Sequence, residues 1–115
     1  MEKELIPAFT VVFLEDAVRF LENMEPKARA RVYYNIRKAQ CINDPELFKK
    51  LNEHIWEFRT LYQGKAYRLF AFRHRQDATE TVVVTTHGIL KKTQRTPPKE
   101  IRKAEEMRKQ YLKIR

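Results

Sequence analysis

Residues 55–95 read IWEFRTLYQGKAYRLFAFRHRQDATETVVVTTHGILKKTQR, and the pattern within them decides the fold. Trp56 and Phe58 alternate with Glu57 and Arg59, and Tyr67, Leu69 and Ala71 alternate with Arg68, Phe70 and Phe72, the period of two that marks strands. Gln63-Gly64 joins them as a tight hairpin, glycine supplying the positive φ such a turn needs. Gln76-Asp77 makes a second turn, after which Val82, Val83 and Val84 fill both faces of a central strand covered by helices. That strand is expected to end at Thr85-Thr86-His87-Gly88, where the chain leaves the sheet and a basic exit begins. Arg59 shares a face with Glu57, and Arg68 faces the same way one strand over if the hairpin closes around Gly64. Two guanidinium groups side by side are unfavourable unless an anion lies between them. The hairpin is therefore expected to hold phosphate or a carboxylate.

Working outward, Ala8 to Phe13 (AFTVVF) is apolar and β-branched, an opening strand with Pro7 at its edge. Leu14, Ala17, Val18 and Leu21 recur at helical spacing behind Glu15-Asp16, which predicts a short helix from Glu15 to Asn23. Pro26 suits the first turn of a second helix with Ala28, Val32, Ile36 and Ala39 as its buried stripe. The two helices form a hairpin against the sheet. Lys27, Arg31, Tyr34 and Lys38 fall on the opposite side of the second helix, either as a solvated surface or as a dock for RNA phosphate or an acidic protein segment. Asp44-Pro45 opens a brief turn through Leu47, Phe48 and Leu51 that connects helix to sheet. Beyond the sheet, Thr96-Pro97-Pro98 leads into a last helix, with Thr96 as N-cap and Glu100 in the first turn. Ile101, Ala104, Met107 and Tyr111 give that helix an apolar face, and Lys and Arg cover the rest.

The 115 residues contain only two glycines and fit a single domain, 1–115, of α+β class: a strand and helix pair packed on a mostly antiparallel sheet, with a basic C-terminal helix. A formal charge of +9 points to an acidic partner. From Gly88 onward there are ten Lys/Arg against three Asp/Glu, a net of +7, leaving +2 for the longer remainder. The last quarter is thus the expected electrostatic footprint. Cys41 is the single cysteine, so neither an internal disulfide nor a paired-cysteine metal knuckle is available. His54, His74 and His87 lack ligand-like spacing, and neither a metal nor a cofactor is expected. No apolar run is long enough for a signal peptide or membrane span, so the expected location is the cytoplasm.

Three motifs carry a resemblance: L-x3-I-W-E-F-R from Leu51, G-x2-Y-R-L from Gly64, and H-G-x2-K-K-T-Q-x-T-P from His87. In this order and spacing the chain resembles the RelE/HigB superfamily of toxins from bacterial toxin–antitoxin modules, in particular its phage-derived HigB-like branch. The resemblance spans nearly the whole chain. It implies a RelE-like fold, cleavage of mRNA on the translating ribosome, and a helix-turn-helix antitoxin as partner. The family's usual catalytic arginine, in G-x2-Y-R, falls on Arg68. The run of alternating lysines that RelE carries on its first hairpin strand is absent, Ile55 and Glu57 standing there, and no C-terminal tyrosine or histidine motif is clear.

RNA can be cut without a metal if a base activates the 2′-hydroxyl, cations stabilise the phosphorane and an acid protonates the leaving oxygen. Arg68 is assigned phosphate binding and transition-state stabilisation, since its planar fork matches phosphate oxygens; the competing reading is a salt bridge to Glu57. Arg59 is a phosphate-binding candidate that Glu57 could equally neutralise. Lys91 and Lys92 bind phosphate, or one acts as base if neighbouring cations depress its pKa; otherwise they are an exposed basic pair. Arg95 extends the phosphate-binding set. His87, at the expected strand end, is a proton-transfer candidate or else a packed, hydrogen-bonded residue. Phe70 and Phe72 either stack on a base or lie under a helix, and the second is the commoner fate. Three other readings share these residues: a ParE-like gyrase inhibitor on the same fold, a non-catalytic RNA-binding module, and a degenerate toxin that retains antitoxin binding.

Overall fold

A computed structural model describes residues 6–75, 77, 80–91 and 95–114. In order these form β1 (Thr10–Phe13), α1 (Glu15–Glu22), α2 (Pro26–Cys41), β2 (Phe48–Lys50), β3 (Ile55–Tyr62), β4 (Lys65–Arg75), β5 (Thr81–Lys91) and α3 (Pro98–Ile114). The strands make one sheet in the order β1-β5-β4-β3-β2, parallel between β1 and β5 and antiparallel elsewhere. The expected α+β architecture is what the chain adopts. The hairpin closes with Gln63 at φ 49° and Gly64 at φ 75°. Two successive positive φ values are those of a type I′ turn, whose twist matches that of the flanking strands. This turn fixes the register that sets Arg59 directly opposite Arg68.

Each face of the sheet has its own core. On one, Leu21, Val32, Ile36 and Ala39 from α1 and α2 cover Phe58, Leu69, Ala71 and Val83. On the other, Ala104 of α3, flanked by Ile101 and Tyr111, covers Ile55, Phe70, Phe72, Val82 and Val84. The buried stripe of α2 is the expected one, Ala28, Val32, Ile36 and Ala39. Polar contacts seat α3 as well: Asn52 Nδ2 donates to Glu105 Oε2 at 3.4 Å, and Lys103 lies 3.8 Å from Asp16.

Several boundaries differ from expectation. The opening strand starts at Thr10 rather than Ala8, and α1 ends at Glu22 with Asn23 as its C-cap. After the turn in which Asp44 Oδ1 accepts from the Glu46 amide, residues 48–50 add a fifth strand beside β3. The larger difference is in β5, which does not stop at Thr85–Gly88 but runs to Lys91 opposite Ala66. The chain stays in the sheet because β4 extends equally far and offers partners for its backbone groups. A β-bulge at Phe70/Ala71 leaves Thr86 as the extra residue, with His87 opposite Phe70 and Thr85 opposite Ala71. The inserted residue shifts the alternation, so that His87 and Lys91 face α3 as Val84 does. Gly88, on the other face, lies under the Phe20 ring, and a Cβ there would sit inside it. The expected turn at Gln76-Asp77 falls partly, at Gln76, outside the described residues.

Candidate anion-binding site on the sheet

Four cations meet on the α3 side of the hairpin. Arg59 and Arg68 are cross-strand neighbours, Lys91 joins them from β5, and Lys49 of β2 stands opposite Glu57. Glu57 lies among them, only 2 % exposed. Its Oε1 is 3.6 Å from Arg68 Nε, and its Oε2 is 3.8 Å from Arg59 Nε. The anion that the paired arginines demand is thus supplied first from within the chain. Both distances exceed hydrogen-bond range. Each of the two buried Nε–H groups therefore has charge compensation without a hydrogen-bond acceptor. Glu57 Oε1 instead accepts from Thr96 Oγ1 at 2.9 Å. Thr96 does not take the expected N-cap role. The helix opens at Pro98, and the amide of Glu100 donates to the carbonyl of Pro97.

The cations differ in access. Arg68 is 8 % exposed and forms the floor, its Nη1 donating to the Tyr67 carbonyl at 3.1 Å. Arg59 and Lys91 are half-buried and Lys49 is exposed, so they form the rim. Burial holds the Arg68 guanidinium below its ordinary pKa; Glu57 opposes that, and Arg59 adds to it. Lys91 is also lowered, first by burial and then by the positive charges of Arg68, Arg59 and Lys49, with Glu57 opposing. Four positive charges surround one carboxylate. A further anion entering at the rim would relieve repulsion that Glu57 alone leaves in place.

His87 belongs to a different neighbourhood. It lies within β5 rather than at a strand end, is 3 % exposed, and is stacked on Phe70 with ring centres 4.9 Å apart. Its Nδ1 is 2.9 Å from Thr86 Oγ1 and its Nε2 is 3.2 Å from Glu100 Oε1. Burial, followed by the charge of Lys103, lowers its pKa, against the hydrogen bond to Glu100. This is the packed, hydrogen-bonded alternative: an imidazole that fastens α3 to the sheet. Phe70 and Phe72 are fully buried under α3, which removes them as stacking platforms. Tyr67 packs on the opposite face, as expected, and Tyr111 meets Phe72 edge-on at 5.5 Å. Arg95 is exposed in the short connection between β5 and α3, and Lys92 lies outside the described residues.

Lys49 was not expected from sequence, because a three-residue strand gives no periodic signal. Among the described residues, no group of three or more His, Cys, Asp and Glu could hold a metal. Nor is any helix among them long and apolar enough to cross a membrane. A groove of about 400 Å³ near the C-terminus of α2, bordered by Phe9, Cys41, Phe48, Trp56 and Arg73, includes none of the expected site residues.

A small α+β domain with a cationic cluster on one face of its sheet is the class so defined. The chain belongs to the phage-derived Gp49-like protein family, whose model matches residues 19–109. Its fold is similar to that of a chain in the crystal structure of the toxin–antitoxin complex RelBE2 from Mycobacterium tuberculosis. That match has a TM-score of 0.54 and 24 % identity, and covers 75 % of this chain and 100 % of that one. No curated protein matches.

Proposed function

We propose that the chain is the toxin of a type II toxin–antitoxin module and acts as a ribosome-dependent mRNA endoribonuclease in the cytoplasm, restrained by a helix-turn-helix antitoxin. The observation that carries this reading is the convergence of Arg59, Arg68 and Lys91 from three adjacent strands on one face. Family membership and the RelBE2-like fold support it, as does the HigB-like motif order.

In the proposed reaction a message phosphate enters at the rim formed by Arg59, Lys91 and Lys49, with Arg68 beneath. Lys91, whose pKa is lowered first by burial and then by the cations beside it, accepts the proton of the 2′-hydroxyl. The 2′-oxygen bonds to phosphorus and the bond to the 5′-oxygen breaks. Arg68 and Arg59 stabilise the phosphorane charge between these events. The departing 5′-oxygen takes a proton from water while Lys91 returns its proton to solvent, leaving a 2′,3′-cyclic phosphate that a further water can open to a 3′-phosphate. Lys92 and Arg95, which follow Lys91 in sequence, are assigned to further phosphates of the message, and His87 acts by holding α3.

The test is induction in bacteria followed by primer extension on several transcripts. New discrete 5′ ends are expected; growth arrest with intact transcripts would refute cleavage. One observation favours a second reading: Glu57 already sits between the two arginines, as in a binding module that never cuts. Its signature would be ribosome or RNA binding with neither new ends nor growth arrest.

A further inference from the structure

The outer face of α2 carries a second basic surface, on the opposite side of the sheet from the arginine cluster. Helix α2 contains Lys27, Arg29, Arg31, Arg37 and Lys38 and no acidic residue. At 100° per residue, Lys27, Arg31, Tyr34, Arg37 and Lys38 fall within an arc of about 120°, directed away from the buried stripe. All five are exposed, Tyr34 at 63 %. Elsewhere several cations have acidic neighbours: Arg19 pairs with Glu15 and Asp16, Lys103 with Asp16, and Arg59 and Arg68 with Glu57. No ion pair involves an α2 cation among the described residues. The nearest acid in sequence, Glu25, turns its carboxylate to the amides of Lys27 and Ala28 at the helix start. Arg31 lies over the Tyr62 ring, 5.7 Å from its centre, and Tyr62 is paired with Lys65 at the hairpin tip. The positive band therefore continues from α2 to the end of the hairpin.

We propose that this face docks the backbone of structured RNA and attaches the protein independently of the sheet site. The chemistry favours RNA over an acidic protein. Protein interfaces are built on apolar anchors and are depleted in lysine at their centres, whereas this arc offers four cations and one tyrosine. Four cations and a tyrosine hydroxyl arrayed over about 17 Å of helix suit a line of phosphates, which bind through charge and hydrogen bonds without an apolar core. The inference goes beyond the cleavage reading and does not depend on it.

The test uses the full chain and a labelled RNA duplex of about 16 base pairs, titrated by anisotropy over a series of salt concentrations. Combining Lys27→Gln, Arg31→Gln, Arg37→Gln and Lys38→Gln is expected to leave the melting temperature unchanged. It should weaken duplex binding by about a hundredfold at low salt and flatten the log–log salt slope by about three to four. Arg68→Ala should bind the duplex within about twofold of the parent, since that side chain lies on the other face. An unaltered slope in the quadruple variant would overturn the proposal, as would an equal loss with Arg68→Ala, which would place the duplex on the sheet. Binding of poly-glutamate as tight as the duplex at matched salt would overturn the RNA assignment in favour of an acidic protein.

Discussion

The two basic surfaces of this molecule are built on opposite principles. On the sheet, Arg59 and Arg68 are placed side by side, largely withdrawn from water, with a buried carboxylate between them. On the outer face of α2, Lys27, Arg31, Arg37 and Lys38 are exposed, form no ion pair among the described residues and are spread along a helix. Buried charges must be compensated, and the compensation fixes their geometry; exposed charges can stay unpaired because water screens them. The first arrangement suits chemistry at one phosphorus atom, and the second suits attachment to a long polyanion. Precise placement and broad attraction are thus divided between the two faces of one sheet.

The division predicts separable losses. The largest is at Arg68: Arg68→Ala should reduce cleavage by at least about a hundredfold, the usual cost of removing a preorganised transition-state charge, while duplex binding persists. Because it also leaves Glu57 short of a partner, the variant should lose stability on the order of 1–3 kcal/mol. Adding Glu57→Gln should restore much of that melting temperature without restoring cleavage. Recovery of cleavage in the double variant would show that Arg68 serves only to neutralise Glu57.

Glu57→Gln alone acts on the sheet surface and leaves α2 untouched. It removes the carboxylate that competes with an incoming phosphate, so binding of a single-stranded RNA should tighten, roughly tenfold at low salt and less as salt rises. Glu57 also raises the Lys91 pKa. Its removal therefore lowers that pKa, and the rising limb of the cleavage–pH profile should move to lower pH. A shift to higher pH, or none, would remove Lys91 as the base.

Smaller effects concern the scaffold shared by both surfaces. Gly88→Ala forces a methyl group into the Phe20 ring and should cost about 1–3 kcal/mol of stability, read as a lower melting temperature with no bias toward either surface. His87 is lowered by burial, so the unfolded chain binds its proton more readily than the folded one. Its stabilising contribution is present above the unfolded value of about 6.5 and is lost as pH falls through that value toward the folded one. His87→Gln should flatten this acid-side loss of melting temperature.

Much of the site's placement could be read from the sequence for a simple reason. Strand alternation and one Gln-Gly turn suffice to put Arg59 and Arg68 on the same face, because register in a two-residue hairpin leaves no freedom. The buried stripe of α2 followed equally from a period near 3.6. The bulge at Thr86 was hidden: no residue type announces an extra residue in a strand, yet it decides which face His87 and Lys91 occupy. Lys49 was hidden because its strand is too short to show a period. The link from Thr96 to Glu57 crosses 39 positions, a contact that only the folded chain reveals.

If the sheet cluster cuts RNA as proposed, Arg68 is indispensable to it. The most direct measurement follows one defined message in a reconstituted translation reaction, with purified parent protein or its Arg68→Ala variant. Discrete internal cuts bearing 2′,3′-cyclic or 3′-phosphate ends, present with the parent and absent with the variant, are the expected result. Full-length message in both reactions, or the same cuts in both, would contradict it.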